Sequence, residues 1–223
     1  MKTASPKRHR IVTAMTPEEL SDLHPRLYHV TAPDAWPMIK QHGLLSTATV
    51  LDLLEVDEPL RSQIAQRCRP EPVPLPHPNH GQIVINDNKP MSEKALAKCL
   101  DDGLTPQEWL TILNNRVFFW STQAGLNRLL GARMNQGRKR LVLTLDTLKL
   151  ARAYADRIEI CPINSGSTIR KPARRGLRTF APLLAQPYRE WQKQRGQRDK
   201  ILEVTVLGQI PDVDAYIIDR TIR

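Results

Sequence analysis

Two residues far apart in the chain have types and settings suited to chemistry. His29 stands in Leu27-Tyr28-His29-Val30-Thr31, and Glu203 stands in Ile201-Leu202-Glu203-Val204-Thr205-Val206-Leu207. A neutral imidazole offers one donor and one acceptor nitrogen. A carboxylate can stabilise a developing positive charge, or take a proton from a nucleophile. Glu203 is the one acidic residue in an otherwise apolar, β-branched run, and alternation places it with Ile201 and Thr205 on one face. Other groups fall between them. Arg116 precedes Val117-Phe118-Phe119-Trp120, and an arginine at a strand edge can grip a phosphate bidentately. Tyr28, Thr31 and Phe119 are candidates for lining the pocket. Asn164-Ser165-Gly166-Ser167-Thr168 offers an amide, small hydroxyls and free backbone N–H groups, which suit a phosphate or a base edge. Asn164 and Asp146 are reserve candidates for placing a water. Arg170, Lys171, Arg174, Arg175 and Arg178 crowd a short stretch, followed by further cations around Trp191, and read as a nucleic-acid-binding edge.

The whole composition points the same way. The formal net charge is +10 over 223 residues, and such an excess draws a protein to polyanions through counterion release. The three cysteines, Cys68, Cys99 and Cys161, form no C-x-x-C pair, so reduced thiols in a cytoplasmic protein are expected. No metal is expected, although His77 and His80 have H-x-x-H spacing. No apolar run reaches the roughly 20 residues that span a bilayer. Residues 1–15 read as a basic flexible arm with no apolar stretch behind it. There is no G-x-x-x-x-G-K-[ST] phosphate loop, no G-x-G-x-x-G, no H-E-x-x-H and no G-x-S-x-G. Any site must therefore be assembled from distant residues.

The elements that would position them are legible in outline. Thr16-Pro17-Glu18-Glu19 and Thr105-Pro106-Gln107-Glu108 are capping boxes that open helices. A helix over 34–41 should end at Gly43. Residues 26–30, 83–85, 117–120, 141–145, 158–160, 201–207 and 217–218 read as strands, with helices over 49–54, 59–68, 92–100 and 123–134. The stretch 69–79 holds five of the 18 prolines and is expected to be a surface loop without regular structure. Residues 165–200 are expected to be a basic loop. Single strands recur among helices without clean alternation. That predicts one α+β domain over 16–223 with a central, mostly antiparallel sheet flanked by helices.

The opening strand, the helix and the Gly43-Leu44 turn resemble the start of the ADP-ribosyltransferase superfamily. There a Tyr-His strand leads into a helix that ends in a Gly-Leu turn. The DNA-modifying DarT toxins and the RNA 2'-phosphotransferases open similarly. Residues 200–206 followed by Ile210-Pro211 look like that superfamily's last motif, and 116–122 resembles its aromatic-bearing middle strand. The blocks at 27–46, 113–120, 142–147, 162–168 and 175–180 also resemble an uncharacterised bacterial domain family. The first resemblance implies an ADP-ribosyltransferase-like fold, Glu203 and His29 as catalytic residues, NAD as co-substrate, DNA favoured over RNA as acceptor, and a toxin or phage-defence setting. An alternative keeps the fold and excises a base, such as a modified phage base, with water as acceptor and no cofactor. A lesser one is a non-catalytic nucleic-acid binder. The sequence says nothing of oligomeric state.

Overall fold

Helix starts are set locally. Thr16 and Thr105 each close a capping box with the glutamate three residues on, and Pro17 and Pro106 occupy the first turn. These fix α1 (Pro17–Leu23) and, later, α6 (Pro106–Asn114). The computed structural model describes residues 14–195 and 200–223. After α1 come β1 (Arg26–Thr31), α2 (Trp36–His42), β2 (Leu44–Leu45), α3 (Thr47–Leu53) and α4 (Leu60–Gln66). Then follow β3 (Val73–His77), β4 (Gly81–Ile85), α5 (Glu93–Ala97) and, after α6, β5 (Arg116–Trp120) and α7 (Gln123–Leu130). The last part holds β6 (Leu141–Asp146), α8 (Thr147–Tyr154), β7 (Ile158–Cys161), β8 (Ala181–Pro182), α9 (Tyr188–Arg195), β9 (Glu203–Leu207), β10 (Gln209–Ile210) and β11 (Ile217–Ile222).

Seven strands form one sheet in the order β11-β6-β1-β5-β9-β7-β8, every neighbouring pair antiparallel. The chain is thus a mixed α+β domain with a large antiparallel sheet flanked by helices. Leu27, Val117, Phe119, Leu143, Ile158, Ile160, Val204 and Val206 bury one face in the main core. Trp109, Leu110 and Phe180 cover the opposite face around Cys161 and Phe118. Both faces of β9 are therefore covered, and Glu203 is buried on a central strand. Among the described residues no helix is long and apolar enough to cross a membrane.

The sheet is weakest at its middle. β1 pairs with β6 over six residues and β5 with β9 over five. β1 and β5 share one pair, Tyr28 opposite Trp120. Beyond it the two strands diverge, and the Nδ1 of His29 meets the Phe118 carbonyl oxygen at 3.0 Å in place of a ladder bond. The sheet is in effect two half-sheets joined at a seam that opens away from Tyr28 and Trp120.

Three expectations are corrected. Residues 73–77 of the proline-rich stretch form β3, paired with β4 in a two-stranded ribbon, Pro74 against Val84 and Pro76 against Gln82. Prolines two apart fit there, because alternate amides of an edge strand point away from the partner and need no ladder bond. Leu75 between them turns into a satellite core with Ile64, Ile83 and Ile85. The supposed loop over 165–200 contains β8, a 3-10 turn and α9, because Leu183 and Trp191 are apolar enough to dock in the main core. Residues 1–13 of the expected arm lie outside the described residues, but Met15 is buried and its N–H donates to the Gln186 carbonyl at 3.1 Å.

Gly43 ties the first half of the chain to the last. It has φ 77° and ψ −164°, a conformation that side-chain-bearing residues avoid. A Cβ there would lie 2.0 Å from the Ile210 carbonyl oxygen. β2 pairs with β10 immediately beside it, and the Ser46 N–H donates to the Gly208 carbonyl at 2.8 Å. Gly43→Ala should destabilise the protein by about 2–4 kcal/mol, from backbone strain plus the forced separation of β2 from β10. Urea unfolding midpoints check this; a variant as stable as the native chain would mean the contact is not tight.

Candidate active site

Glu203 begins β9, opposite Trp120 on β5 and Cys161 on β7. It is only 5% exposed, yet lines a hollow of about 320 Å³. Ser165 holds its carboxylate. The Ser165 hydroxyl donates to Oε2 at 2.7 Å, and the Ser165 N–H approaches Oε1 and Oε2 at 3.2 and 3.3 Å. Burial pushes the carboxyl up to about 7; Ser165, Cys161 and the Arg175 charge act in the opposite direction and limit the rise. A carboxyl tuned this way exchanges its proton at neutral pH.

Arg175 builds the loop that carries Ser165. It is 1% exposed, and its guanidinium donates to the carbonyls of Ser165 (2.7 Å), Ser167 (2.9 Å) and Ala173 (3.0 Å). The expectation that Arg175 contacts nucleic acid is therefore corrected. Its donors are spent on carbonyls that the tight 164–168 loop leaves unpaired, and its charge lies behind Glu203 rather than in solvent. Arg170, Lys171, Arg174 and Arg178 are exposed as expected, and Arg174 pairs with Asp101.

Arg116 is likewise not a free phosphate grip. It makes a two-pronged ion pair with Glu159, Nε to Oε2 at 2.7 Å and NH2 to Oε1 at 3.0 Å. Its remaining prong donates to the Ile112 carbonyl, and its plane lies over the Phe180 ring at 4.3 Å. The sequence separation of 43 residues hid this partner. Asp146, a reserve for water placement, instead caps α8 by accepting from the Lys149 N–H at 2.9 Å.

His29 stands on the other side of the seam. A carbonyl can only accept, so the ring's Nδ1–H donates to Phe118 and the neutral ring keeps its lone pair on Nε2. Burial lowers its pKa, which favours that neutral form. Its ring lies 5.8 Å from Phe119. His29 and Thr31 line a hollow of about 200 Å³, next to the one that holds Glu203. The two hollows share Thr47, Arg69 and Asp87. Asn164, Ser165 and Phe119 surround Glu203, while Ser167 lines a third hollow of about 330 Å³ that also meets Asn164 and Trp120. Tyr28 is not among the residues walling these hollows. It lies on the Glu203 row of the sheet, two strands away, which is roughly 10 Å. The register puts Glu203 in line with Trp120 and Tyr28 and His29 on the next row, in line with Leu143, so the two candidates do not touch and line separate, adjoining hollows.

Several participants escaped sequence reasoning. Arg69 lies between two hollows with its guanidinium bonded to Ile64, Asn86 and Asn114, and burial brings its pKa down to about 10. Nothing in a proline-rich stretch signals a buried arginine. Lys89, Arg128, Arg138 and Arg140 wall the third hollow, brought together from separate stretches of the chain. His77 and His80 stack at 4.7 Å with His42 edge-on to His80 at 4.9 Å. Among the described residues no group of three His, Cys, Asp or Glu is placed to hold a metal ion.

The model of a family of unknown function (DUF7002) matches residues 25–217, and the chain belongs to that family. The comparison with curated proteins finds no match.

Two outcomes follow from this geometry. The folded chain binds the Glu203 proton more tightly than the unfolded chain does, whose carboxyl titrates near 4.5. That contribution to stability is full below about pH 4.5 and is lost as pH rises through about 7, on the order of 3 kcal/mol in all. Glu203→Gln removes the titration, so native stability should fall relative to the variant between pH 5 and pH 8.5. Denaturant midpoints at constant ionic strength measure it, and parallel pH curves would contradict it. Arg116→Ala leaves Glu159 buried with only the Thr205 hydroxyl, at 3.3 Å, and should cost about 3–5 kcal/mol in a urea titration. A loss under 1 kcal/mol would mean that this hydroxyl suffices to hold Glu159.

Proposed function

We propose that this DUF7002 protein acts at the C1' carbon of a nucleotide, transferring ADP-ribose from NAD to nucleic acid, with DNA favoured over RNA, in a cytoplasmic setting. The observation that carries the reading is Glu203: a carboxyl buried in the sheet and held by Ser165 in a hollow that adjoins one lined by a neutral histidine. Sugar–base bonds break with positive charge building on C1' and the ring oxygen. A preorganised carboxylate in a low-dielectric site stabilises that charge. The C1'–N bond to nicotinamide breaks with its electron pair leaving on the ring nitrogen. A nitrogen or oxygen of the acceptor then bonds to C1' and releases a proton, which Glu203 accepts. The His29 Nε2 accepts from a ribose hydroxyl and fixes the sugar. Glu203 must be ionised for its charge to act, so the rate should rise with pH through about 7.

A second reading is favoured by that same value. A carboxyl that takes up and releases protons at neutral pH also suits activating water, which would make the protein a glycosylase that leaves an abasic site without NAD. One experiment separates the two. Oligonucleotides, including ones with modified bases, are incubated with and without NAD and weighed by mass spectrometry. Transfer adds one ADP-ribose and needs NAD; excision loses one base and does not. Glu203→Ala and His29→Ala should each lower the rate at least about 100-fold. No adduct on DNA, RNA or protein, and no NAD consumed, sinks the transferase reading; full activity in both variants places the site elsewhere.

A further inference from the structure

The loop over 164–170 separates two cationic hollows. On one side lies the hollow of about 330 Å³, walled by Lys89, Arg128, Arg138 and Arg140, with Asp87 as its one carboxylate. On the other lies a hollow of about 440 Å³ that Lys94, Lys98, Arg170 and Arg174 surround, with no carboxylate in its wall. Lys89 is paired with Glu71, Arg138 with Asp87 and Arg174 with Asp101. The described residues provide no counter-ion for Lys94, Lys98, Arg128 or Arg170. The loop touches both sides, since Ser167 and Ile169 line the first hollow and Thr168 and Arg170 the second. It is fixed in place by the Arg175 fork within and by the Ser92 N–H donating to Thr168 Oγ1 at 2.9 Å. Ile169 is 56% exposed on it, a bare apolar side chain between two positive basins.

We propose that this loop is a saddle over which a single strand of DNA crosses, its phosphates held in the two cationic hollows and a base resting against Ile169. The inference rests on the nucleic-acid reading above and names where the acceptor enters. Charge selects a polyanion; the apolar crest selects bases over other polyanions. The single strand is selected by depth. Asn164 and Trp120 line both the first hollow and the Glu203 hollow, so a base unstacked from the strand at the saddle turns down toward Glu203. A paired base must first leave its duplex.

The test measures binding directly, on full-length Glu203→Gln protein to prevent turnover. Fluorescence anisotropy with a 12-nucleotide single strand is read over a salt series. Lys94→Ala/Lys98→Ala/Arg170→Ala and Arg128→Ala/Arg138→Ala/Arg140→Ala should each weaken binding at least tenfold. Each should also flatten the log–log salt slope by about 2, since a single strand gives roughly 0.7 per phosphate contact. Arg26→Ala/Lys40→Ala/Lys149→Ala, which removes equal charge outside both hollows, should change affinity less than twofold, and Ile169→Ser should weaken binding without changing the slope. All variants are first matched for thermal midpoint. The saddle is overturned if either hollow variant binds like the control triple, if the duplex binds tighter than the single strand, if polyglutamate of equal charge competes as well, or if the single strand does not bind. The C1' chemistry is read separately, as nicotinamide released from NAD by the native protein, so failure of the saddle and failure of the chemistry are told apart.

Discussion

The structure depends on the incomplete join between β1 and β5. A fully paired sheet would run its ladder through this point and close the surface. Here a single pair, Tyr28 with Trp120, holds the halves together, and the His29 ring satisfies the carbonyl that the ladder abandons. An unpaired carbonyl in a part-buried seam is costly, so the histidine is structurally required as well as chemically apt. The cleft exists because the strands part, and it stays open because His29 removes the penalty for parting. Gly43 reinforces this by letting β2 reach β10 at the end of β9, so that the element after His29 and the element after Glu203 brace each other.

What was legible in the sequence is what short-range physics governs. The capping boxes at Thr16 and Thr105, the Gly43 terminator and the apolar strands of the sheet are encoded within a few residues and emerge as expected. Glu203 stood out because a carboxylate in an apolar strand needs a reason, and its partner loop at 164–168 stood out because of its small polar residues. Long-range pairings were hidden. Arg116 and Glu159 each look like ordinary surface charges until β5 and β7 are placed on either side of β9. Arg175 sits amid exposed cations and differs from them only by the three carbonyls that surround it. The prolines at 74 and 76 misled because they exclude a central strand but not an edge one.

Charge along the chain and charge across the surface are therefore different quantities. The cluster at 170–178 drew attention by density, but it is divided in the fold: one arginine goes inside, one pairs with Asp101, and Arg170 faces a hollow completed by Lys94 and Lys98 of the α5 region. The cations of the hollow beside that of Glu203 come from 89, 128, 138 and 140, spread over β4's exit, α7 and the approach to β6. Their convergence is a property of topology, because α7 and the turn after it cross the same end of the seam that Asn164 approaches from the other half-sheet.

Glu203 sets the balance between stability and use. Burial alone would raise its pKa until it was protonated, and so uncharged, at neutral pH. Donation from Ser165 and the field of Arg175 pull the value back to about 7, where both forms coexist. Arg175 thus acts at a distance from the cleft. It holds the Ser165 carbonyl and so aims the hydroxyl and N–H at the carboxylate, and its charge favours the ionised form. The chain accepts an unfavourable carboxylate in the middle of a sheet and uses a second buried charge to keep it ionisable. That arrangement gains nothing for folding, where an apolar residue on each strand would pack better. Its purpose has to be sought in what the carboxylate does at the floor of the cleft.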